Sequence, residues 1–243
     1  MKTKINLSGL RVAVTGGTSG LGLALVRAFR ANGARVAFVA RTAATVERVA
    51  HETGAEGIVG DVGHKDDIYP IALQITGRLG GLDVLINNAS SLGPEPLRPL
   101  GDTDCEDLEQ ALAVNLVGPF RLTKALLGAL AASAREGSGA VVLNISSDAA
   151  VNAYAGWGAY SASKAALRHL SAIWNEELAE QTVRFLSLDP GDMDTALHAA
   201  AVPDADRASL KRPETSAQEM IEAIVAALPA THAAVPQLAR VRA

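Results

Sequence analysis

A tyrosine and a lysine lie four positions apart, Tyr160 and Lys164, in the stretch GWGAYSASKAAL at residues 156–167. Residues four apart on a helix share one face, so the lysine ammonium can lie beside the phenol. A free tyrosine has a pKa of about 10 and is a poor proton donor or acceptor at neutral pH, but a nearby ammonium stabilises the phenolate and lowers that pKa. The pair predicts a tuned acid/base. Taken alone, the same spacing is more often an exposed lysine near a half-buried tyrosine.

A serine hydroxyl is expected in the same crevice. Ser147 ends the apolar run AVVLNISS at 140–147, thirteen positions before Tyr160. The ends of parallel strands meet at one edge of a sheet, where α/β proteins bind ligands. The Ser147 hydroxyl is therefore expected to hydrogen-bond a substrate carbonyl.

A glycine-rich turn, TGGTSGLG at 15–22, follows the first apolar run and precedes a helical pattern. Glycines allow a tight turn and let backbone N–H groups approach a pyrophosphate at a helix N-terminus. On its own this signal is weak, because a plain strand–helix turn has the same composition. Its place after the first strand favours phosphate binding. The residues predicted to bind a cofactor here are Gly16, Thr18, Ser19, Gly20, Leu21 and Gly22.

The second strand ends at Ala40 and Arg41, with no acidic residue at 39–42. An acid there would accept hydrogen bonds from the adenosine ribose of NAD, whereas an arginine can pair with a 2′-phosphate. Arg41 therefore favours NADP(H) over NAD(H), the alternative being a solvated arginine beside a helix start. Further cofactor contacts are expected at the ends of the third and fourth strands, from Asp61, Val62, Asn88, Ala89 and Ser90.

The elements that position these residues alternate along the chain. Apolar runs that read as strands lie at 10–17, 34–41, 56–62, 82–89, 140–147 and 183–191. Helical patterns lie between them, at 19–33, 43–53, 64–79, 105–134 and 160–180. Strands that are apolar on both faces and alternate with helices predict a parallel sheet covered on both sides. The fold class is therefore α/β, a single doubly wound Rossmann-type domain over 1–243 with a central parallel sheet of about seven strands.

Two irregular segments follow strand ends, at 90–104 and 191–215. The second contains an apolar helical piece, TALHAAAV, and a segment of this kind beside a site is a candidate lid.

Bulk composition excludes several classes of function. Net charge is −4, hydrophobic residues are 49% and charged residues 20% of the 243 residues, as in an ordinary globular chain without general attraction to nucleic acid or an anionic membrane. The single Cys105 excludes an internal disulfide framework, and the five histidines have no ligand spacing, so no metal site is expected. No signal peptide and no apolar run near 20 residues is visible, and a cytoplasmic protein is expected.

In combination, these features resemble the classical short-chain dehydrogenase/reductase family, from Leu10 to about Leu228. The motifs occur in order: TGGTSGLG, Asp61-Val62, NNAS at 87–90, Asn115 in AVNLVGPF, Ser147, YSASK at 160–164 and PGDMDT at 190–195. The resemblance implies an oxidoreductase that transfers a hydride between a nicotinamide cofactor and a carbonyl or alcohol.

The resemblance also implies the roles of individual residues. Tyr160 would protonate the carbonyl oxygen or deprotonate the alcohol. Lys164 would lower the tyrosine pKa and hold the nicotinamide ribose, Ser147 would orient the substrate oxygen, and Asn115 would hold a water in a proton relay through Lys164. Residues expected at the nicotinamide end are Pro190, Gly191, Met193 and Thr195.

Three departures from the family pattern stand out. Ser90 replaces a usual glycine, Ser146 adjoins Ser147 and is the alternative catalytic serine, and the C-terminus at 230–243 lacks the glycine-rich ending common in family tetramers. A homodimer through helices near 107–133 and 160–180, or a homotetramer, is expected by resemblance.

The leading hypothesis is an NADP(H)-dependent oxidoreductase that interconverts a ketone, a diketone among the candidates, and a secondary alcohol. Trp157 with GAYSASKAAL is similar to carbonyl reductases of the sepiapterin and benzil type. The roles of Trp157, Asp148 and His198 stay open between substrate contact and packing. The alternatives are an NAD-dependent secondary-alcohol dehydrogenase, which requires Arg41 to be incidental, and a non-catalytic nucleotide-binding regulator.

Overall fold

Six parallel strands form one sheet in the order β3-β2-β1-β4-β5-β6. The structure, a computed structural model, describes residues 5–229. The strands are β1 (Arg11–Thr15), β2 (Arg35–Ala40), β3 (Glu56–Val59), β4 (Val84–Asn87), β5 (Ala140–Ile145) and β6 (Val183–Leu188).

Helices lie in every connection between successive strands, as parallel pairing requires, and two more follow the last strand. The helices are α1 (Gly20–Ala31), α2 (Ala43–Thr53), α3 (Ile68–Leu79), α4 (Cys105–Leu112), α5 (Gly118–Arg135), α6 (Gly158–Glu177), α7 (Ala196–Ala201) and α8 (Pro213–Ala227). The predicted α/β class with a doubly wound parallel sheet is confirmed.

Strand order reverses beside β1, which pairs with β2 on one side and β4 on the other. The chain winds outward in both directions from this point. Loops leaving the carboxyl ends of β1 and β4 therefore diverge and leave a crevice, the usual ligand site of an open α/β sheet.

The sheet is buried on both faces. Val12 and Val14 pack with α1 and α8 in one core cluster, whereas Ala13 and Leu85 face the opposite cluster with α3 and α5. This two-sided burial explains why the strands read as continuous apolar runs. Packing on both faces also holds the strand ends in place, and these ends form the crevice.

The structure corrects the sequence prediction in three places. The described residues form six strands, not about seven, because each of the six apolar runs gives one strand and no other part of 5–229 joins the sheet. The predicted helix at 105–134 is two helices joined by a π-helical turn, Ala113–Val117. Helix α8 was not predicted, although Pro213 at its start and buried Met220, Ile221 and Ile224 carry a helical pattern.

Residues 230–243, which lack the glycine-rich ending common in family tetramers, lie outside the described residues. Across 5–229 there is no helix with the length and hydropathy to cross a lipid bilayer.

Candidate active site

A cleft of about 780 Å³ opens at the carboxyl ends of the strands, where the strand order reverses. The structure brings all the residues predicted to bind a cofactor to this cleft: Gly16, Thr18, Ser19, Gly20, Leu21, Gly22, Arg41, Asp61, Val62, Asn88, Ala89, Ser90, Tyr160, Lys164, Pro190, Gly191, Met193 and Thr195. Ser147 also lines it, whereas Asn115 lies behind its wall, fully buried.

The glycine turn is tight and leaves backbone donors free. Gly16 has φ of +69°, and a Cβ on Gly22 would collide with the Gly16 carbonyl oxygen. The Asn88 amide closes the turn by donating to the Thr15 carbonyl over 2.9 Å. Helix α1 starts after Ser19 with no side-chain cap and no acidic residue in its first turn. The unpaired N–H groups of that turn are suited to an anion such as a phosphate.

Arg41 follows the end of β2, is exposed, and lines the cleft. Within 5–229 its guanidinium has no hydrogen bond and no ion pair. An arginine held beside a cleft without a protein partner is free to pair with an anionic ligand. Asp61 also lines the cleft, and one of its carboxylate oxygens accepts the Gly63 N–H at 2.8 Å.

Tyr160 and Lys164 lie in the first two turns of α6 and are almost completely buried, at 7% and 2% exposure. The Lys164 Nζ lies 5.6 Å from the centroid of the Tyr160 ring and donates to the Ile145 carbonyl at the end of β5, over 2.8 Å. Helical spacing and an anchor on the adjacent strand thus fix the ammonium beneath the tyrosine.

Burial dominates the electrostatics of this pair. It raises the pKa of Tyr160 to about 12, with smaller raising effects from Asp189 and Asp148, while hydrogen bonds with Ser147 and Ser90 lower it. Burial lowers the pKa of Lys164 to about 8. The expected lowering of the tyrosine pKa is therefore not found in the protein alone, because loss of hydration outweighs the favourable contacts. In this state, Tyr160 is a protonated donor at neutral pH.

Ser147 is one of two serines, with Ser90, whose side chains interact with the Tyr160 phenol. Its hydroxyl accepts the Ala149 N–H at 3.2 Å, donates to the Asp148 carboxylate at 3.1 Å, and interacts with Tyr160. The backbone N–H of neighbouring Ser146 pairs with the Leu188 carbonyl, and its side chain is buried. This geometry favours Ser147 over Ser146 as the residue that meets a substrate oxygen.

Asn115 lies in the π-helical turn, and its amide uses all its hydrogen-bonding capacity. Its nitrogen donates to the Ser91 carbonyl at 2.7 Å and the Ser163 hydroxyl at 2.9 Å. Its oxygen accepts the Ser91 N–H at 2.8 Å and the Ser90 hydroxyl at 3.2 Å. Asn115 therefore ties the loop after β4 to α6, and the hydroxyl of Ser90, absent from a glycine, contributes to this tie. The relay through Lys164 stays a prediction.

The predicted lid is anchored at its base. Met193 pairs with Lys211 in an isolated bridge, and the carboxylate of Asp194 accepts two hydrogen bonds from Arg207. The Thr195 hydroxyl caps α7 by accepting the His198 N–H. The His198 Nε2 lies 3.7 Å from the Asp192 Oδ1, and both residues line the cleft.

Trp157, whose role the sequence left open, lines the wall of the cleft. Its ring stands edge-to-face with Tyr160, with centroids 5.7 Å apart, and with Tyr154, at 6.3 Å. The Asp148 carboxylate accepts a hydrogen bond of 2.7 Å from the Tyr154 hydroxyl and so holds that side chain in place.

Sequence reasoning missed three contributors. Ser163 and Ser91 hold Asn115, and Asp189 lines the cleft near Tyr160. Ser163 lies inside YSASK, so a signal was present, but its partner is 48 residues away. No group of three or more His, Cys, Asp or Glu side chains that could hold a metal occurs in the described part of the chain.

Comparisons with known proteins agree with this geometry. The family model described as short chain dehydrogenase matches residues 11–206. Galactitol 2-dehydrogenase (L-tagatose-forming) of Cereibacter sphaeroides is 34% identical over 81% of this chain and 76% of its own length. Carbonyl reductase [NADPH] 2 of Sus scrofa is 30% identical over 84% of this chain and 80% of its own. A metagenomic short-chain oxidoreductase solved with NADP superposes with a TM-score of 0.75 at 30% identity, covering 90% of this chain and 91% of that one.

Proposed function

The chain belongs to the short-chain dehydrogenase/reductase family, and from that premise we propose that it is an NADP(H)-dependent oxidoreductase interconverting a ketone and a secondary alcohol. The family makes it an enzyme that acts on CH–OH or C=O groups. The cofactor preference, the residue roles and the ketone class are the proposal.

One observation carries it. Ser147, Tyr160 and Lys164, from the end of β5 and the start of α6, converge in one cleft with the glycine turn of β1 and α1. An acid/base group next to a phosphate-binding turn is the arrangement that reduction with a dinucleotide requires. A structural lysine would have no reason to be buried at this point with a single hydrogen bond.

The proton chemistry follows from the geometry. The Ser147 hydroxyl orients the carbonyl oxygen, and Tyr160, protonated at neutral pH, donates its proton to that oxygen as negative charge develops. Lys164, charged below about pH 8, stabilises the resulting phenolate through space. In the reverse direction the phenolate accepts the alcohol proton. Asn115 acts by positioning the loop after β4 against α6.

The residues present fit a dinucleotide. The turn from Gly16 to Gly22 would hold its pyrophosphate and Asp61 its adenine. At the other end of the cleft, Pro190, Gly191, Met193 and Thr195 would hold the nicotinamide. The bound nicotinamide supplies or accepts the hydride. Arg41, exposed and unpaired within 5–229, would hold a 2′-phosphate, which supports NADP(H) over NAD(H).

Cofactor preference is tested by measuring dissociation constants for NADPH and NADH in wild type and in Arg41→Ala. We expect the substitution to raise the dissociation constant of NADPH by about 10- to 100-fold, the range for a lost charged hydrogen bond. The dissociation constant of NADH should stay within about twofold of the wild-type value. Arg48→Ala is the matched control, since Arg48 lies on the neighbouring helix, pairs with Glu52 and does not line the cleft. Equal binding of both cofactors in wild type would instead support the NAD-linked alcohol dehydrogenase.

Catalysis is tested with Tyr160→Phe. An enzyme loses nearly all ketone-dependent NADPH oxidation while its NADPH dissociation constant stays within about threefold, because the phenol hydroxyl is needed only for the proton. A nucleotide-binding regulator without an acid/base role would have no turnover to lose.

Two further parts of the proposal concern the whole chain. Residues 191–215 act as a lid over the nicotinamide end, and residues 5–229 belong to one domain. Two copies associate through α5 and α6, where Phe120 and Ile173 are exposed apolar side chains. Sedimentation of wild type and Phe120→Glu tests this association, which the substitution should weaken.

A further inference from the structure

We propose that Trp157 is the specificity-determining wall of the substrate end of the cleft, selecting ketones that carry a flat, apolar substituent such as an aryl ring. This inference rests on the proposed carbonyl reduction and adds the class of substrate. Four observations support it.

The first is a third apolar cluster, separate from the two cores that cover the sheet. It is built on buried Leu92, Ala149 and Tyr160. The partly buried side chains packed against it are Leu97, Trp157, Ala200 and Ala201. The cluster joins the loop after β4, the start of α6 and the segment around α7, and it lies at the residue that delivers the proton. The surroundings of the reacting carbon are therefore apolar on this side.

The second is that the indole is held in place. Trp157 precedes the first residue of α6 and its backbone is fixed there: its backbone N–H donates to the Tyr154 carbonyl at 3.2 Å, and its backbone carbonyl accepts the Ser161 N–H at 2.8 Å. Its ring stands edge-to-face between Tyr154 and Tyr160, at interplanar angles of 61° and 68°. Contact with two other aromatic rings restricts the indole, so ordering it on binding costs little entropy and its apolar face is preorganised.

The third is the size of the side chains across the cluster. Ala200 and Ala201 lie at the end of α7 and line the cleft with Trp157. Because these side chains are single methyl groups, they leave room on their side of the cleft for a ring that also contacts the indole. A larger side chain at Ala200 would fill that space.

The fourth concerns the polar groups that would favour a hydroxyl-rich substrate. The Asp148 carboxylate already accepts from Tyr154 and Ser147, and Asp189 accepts the Gly191 N–H at 2.9 Å. Asp192 lies beside His198. All three carboxylates are exposed, so a sugar hydroxyl that bound one of them would replace a hydrogen bond with water and would gain little net free energy. Contact with the indole and displacement of water from the cluster therefore decide selectivity.

The experiment compares kcat/KM for acetophenone and 2-butanone, with NADPH, in wild type, Trp157→Ala, Trp157→Phe and Ala200→Leu. Val151→Ala is the matched control, because Val151 is exposed in the same connection and does not line the cleft. We expect wild type to prefer acetophenone. Trp157→Ala and Ala200→Leu should each lower the acetophenone-to-butanone ratio about tenfold, by losing the wall and by filling the space, as apolar pocket contacts generally discriminate. Trp157→Phe should keep the ratio within about threefold, and Val151→Ala should leave it unchanged.

Two results separate this inference from the proposed function. If wild type reduces both ketones and Trp157→Ala and Ala200→Leu leave the ratio unchanged, the specificity role is wrong while the reductase proposal stands. If wild type reduces neither ketone, the proposed reduction of simple ketones fails. Calorimetric binding of 1-phenylethanol and 2-butanol to the enzyme with NADP⁺ then tests the wall by itself: preference for the aryl alcohol that is lost in Trp157→Ala supports it, and equal binding overturns it. NADPH dissociation constants check that each variant is folded.

Discussion

Replacing Lys164 by methionine is expected to stabilise the folded protein at pH 7. The Lys164 side chain is 2% exposed and its ammonium has one hydrogen bond, to the Ile145 carbonyl. Burial lowers its pKa from 10.5 to about 8, which corresponds to about 3 kcal/mol of destabilisation whenever the lysine is charged. Methionine keeps the unbranched apolar chain and removes the charge, at the loss of a charged hydrogen bond of about 1.5 kcal/mol. The net expectation is a gain of about 1–2 kcal/mol in the free energy of unfolding.

The pH dependence has a definite sign. Below pH 8 the lysine is protonated in both the folded and the unfolded chain, so burial of its charge destabilises the folded protein by the full amount. Between pH 8 and 10.5 the unfolded chain holds a proton that the folded chain has released, so wild-type stability rises with pH. The advantage of Lys164→Met should therefore shrink by about 2 kcal/mol between pH 7 and 9.5. The range from pH 7 to 9.5 avoids a second effect. Above pH 10 the unfolded chain loses the Tyr160 proton before the folded chain does, because the folded-state pKa is raised, and stability would fall.

The assay is urea unfolding followed by far-ultraviolet circular dichroism at both pH values, without cofactor. Lys124→Met, at an exposed position on α5, is the control and should change stability by less than about 0.5 kcal/mol. A variant that is less stable than wild type at pH 7, or a difference that does not change with pH, would refute the reasoning. Either result would mean that the folded protein compensates the buried charge.

Three other predictions concern the same site. Gly22→Ala should weaken NADPH binding more than tenfold and cost about 2 kcal/mol of stability, because the new Cβ meets the Gly16 carbonyl. The control Gly77→Ala in α3, where a Cβ meets open space, should gain about 0.5–1 kcal/mol of stability. Fluorescence titration measures NADPH binding, and urea unfolding measures stability. The rate of ketone reduction at saturating NADPH should fall as pH rises through about 8, where Lys164 loses its charge, and a rate that is flat to pH 10 would contradict this. Asn115→Ala should cost about 2–4 kcal/mol by leaving buried polar partners unpaired, and a thermal melt within 1 °C of wild type would contradict it.

Much of the fold was predictable because its signals are local. Two-sided apolar strands, helical spacing and the glycine turn each follow from neighbouring residues, and their alternation leads to a doubly wound sheet. Since strand ends of such a sheet meet at one edge, the sequence also indicated that Ser147, Tyr160 and Arg41 share a crevice, and the structure brings them to one cleft. The family assignment rested on the order of these motifs and is confirmed by the match over residues 11–206.

Other properties depend on contacts between distant parts of the chain, and only the tertiary structure decided them. The spacing of Tyr160 and Lys164 indicated proximity but not burial, and burial reversed the expected direction of the tyrosine pKa. The partners of Asn115 come from a loop 24 residues before it and a helix 48 residues after it. The wall around Trp157 likewise forms only when the loop after β4, α6 and α7 meet. Periodicity and motif spacing determine which elements form and where they end, whereas hydration, hydrogen-bond partners and pocket shape are set by packing.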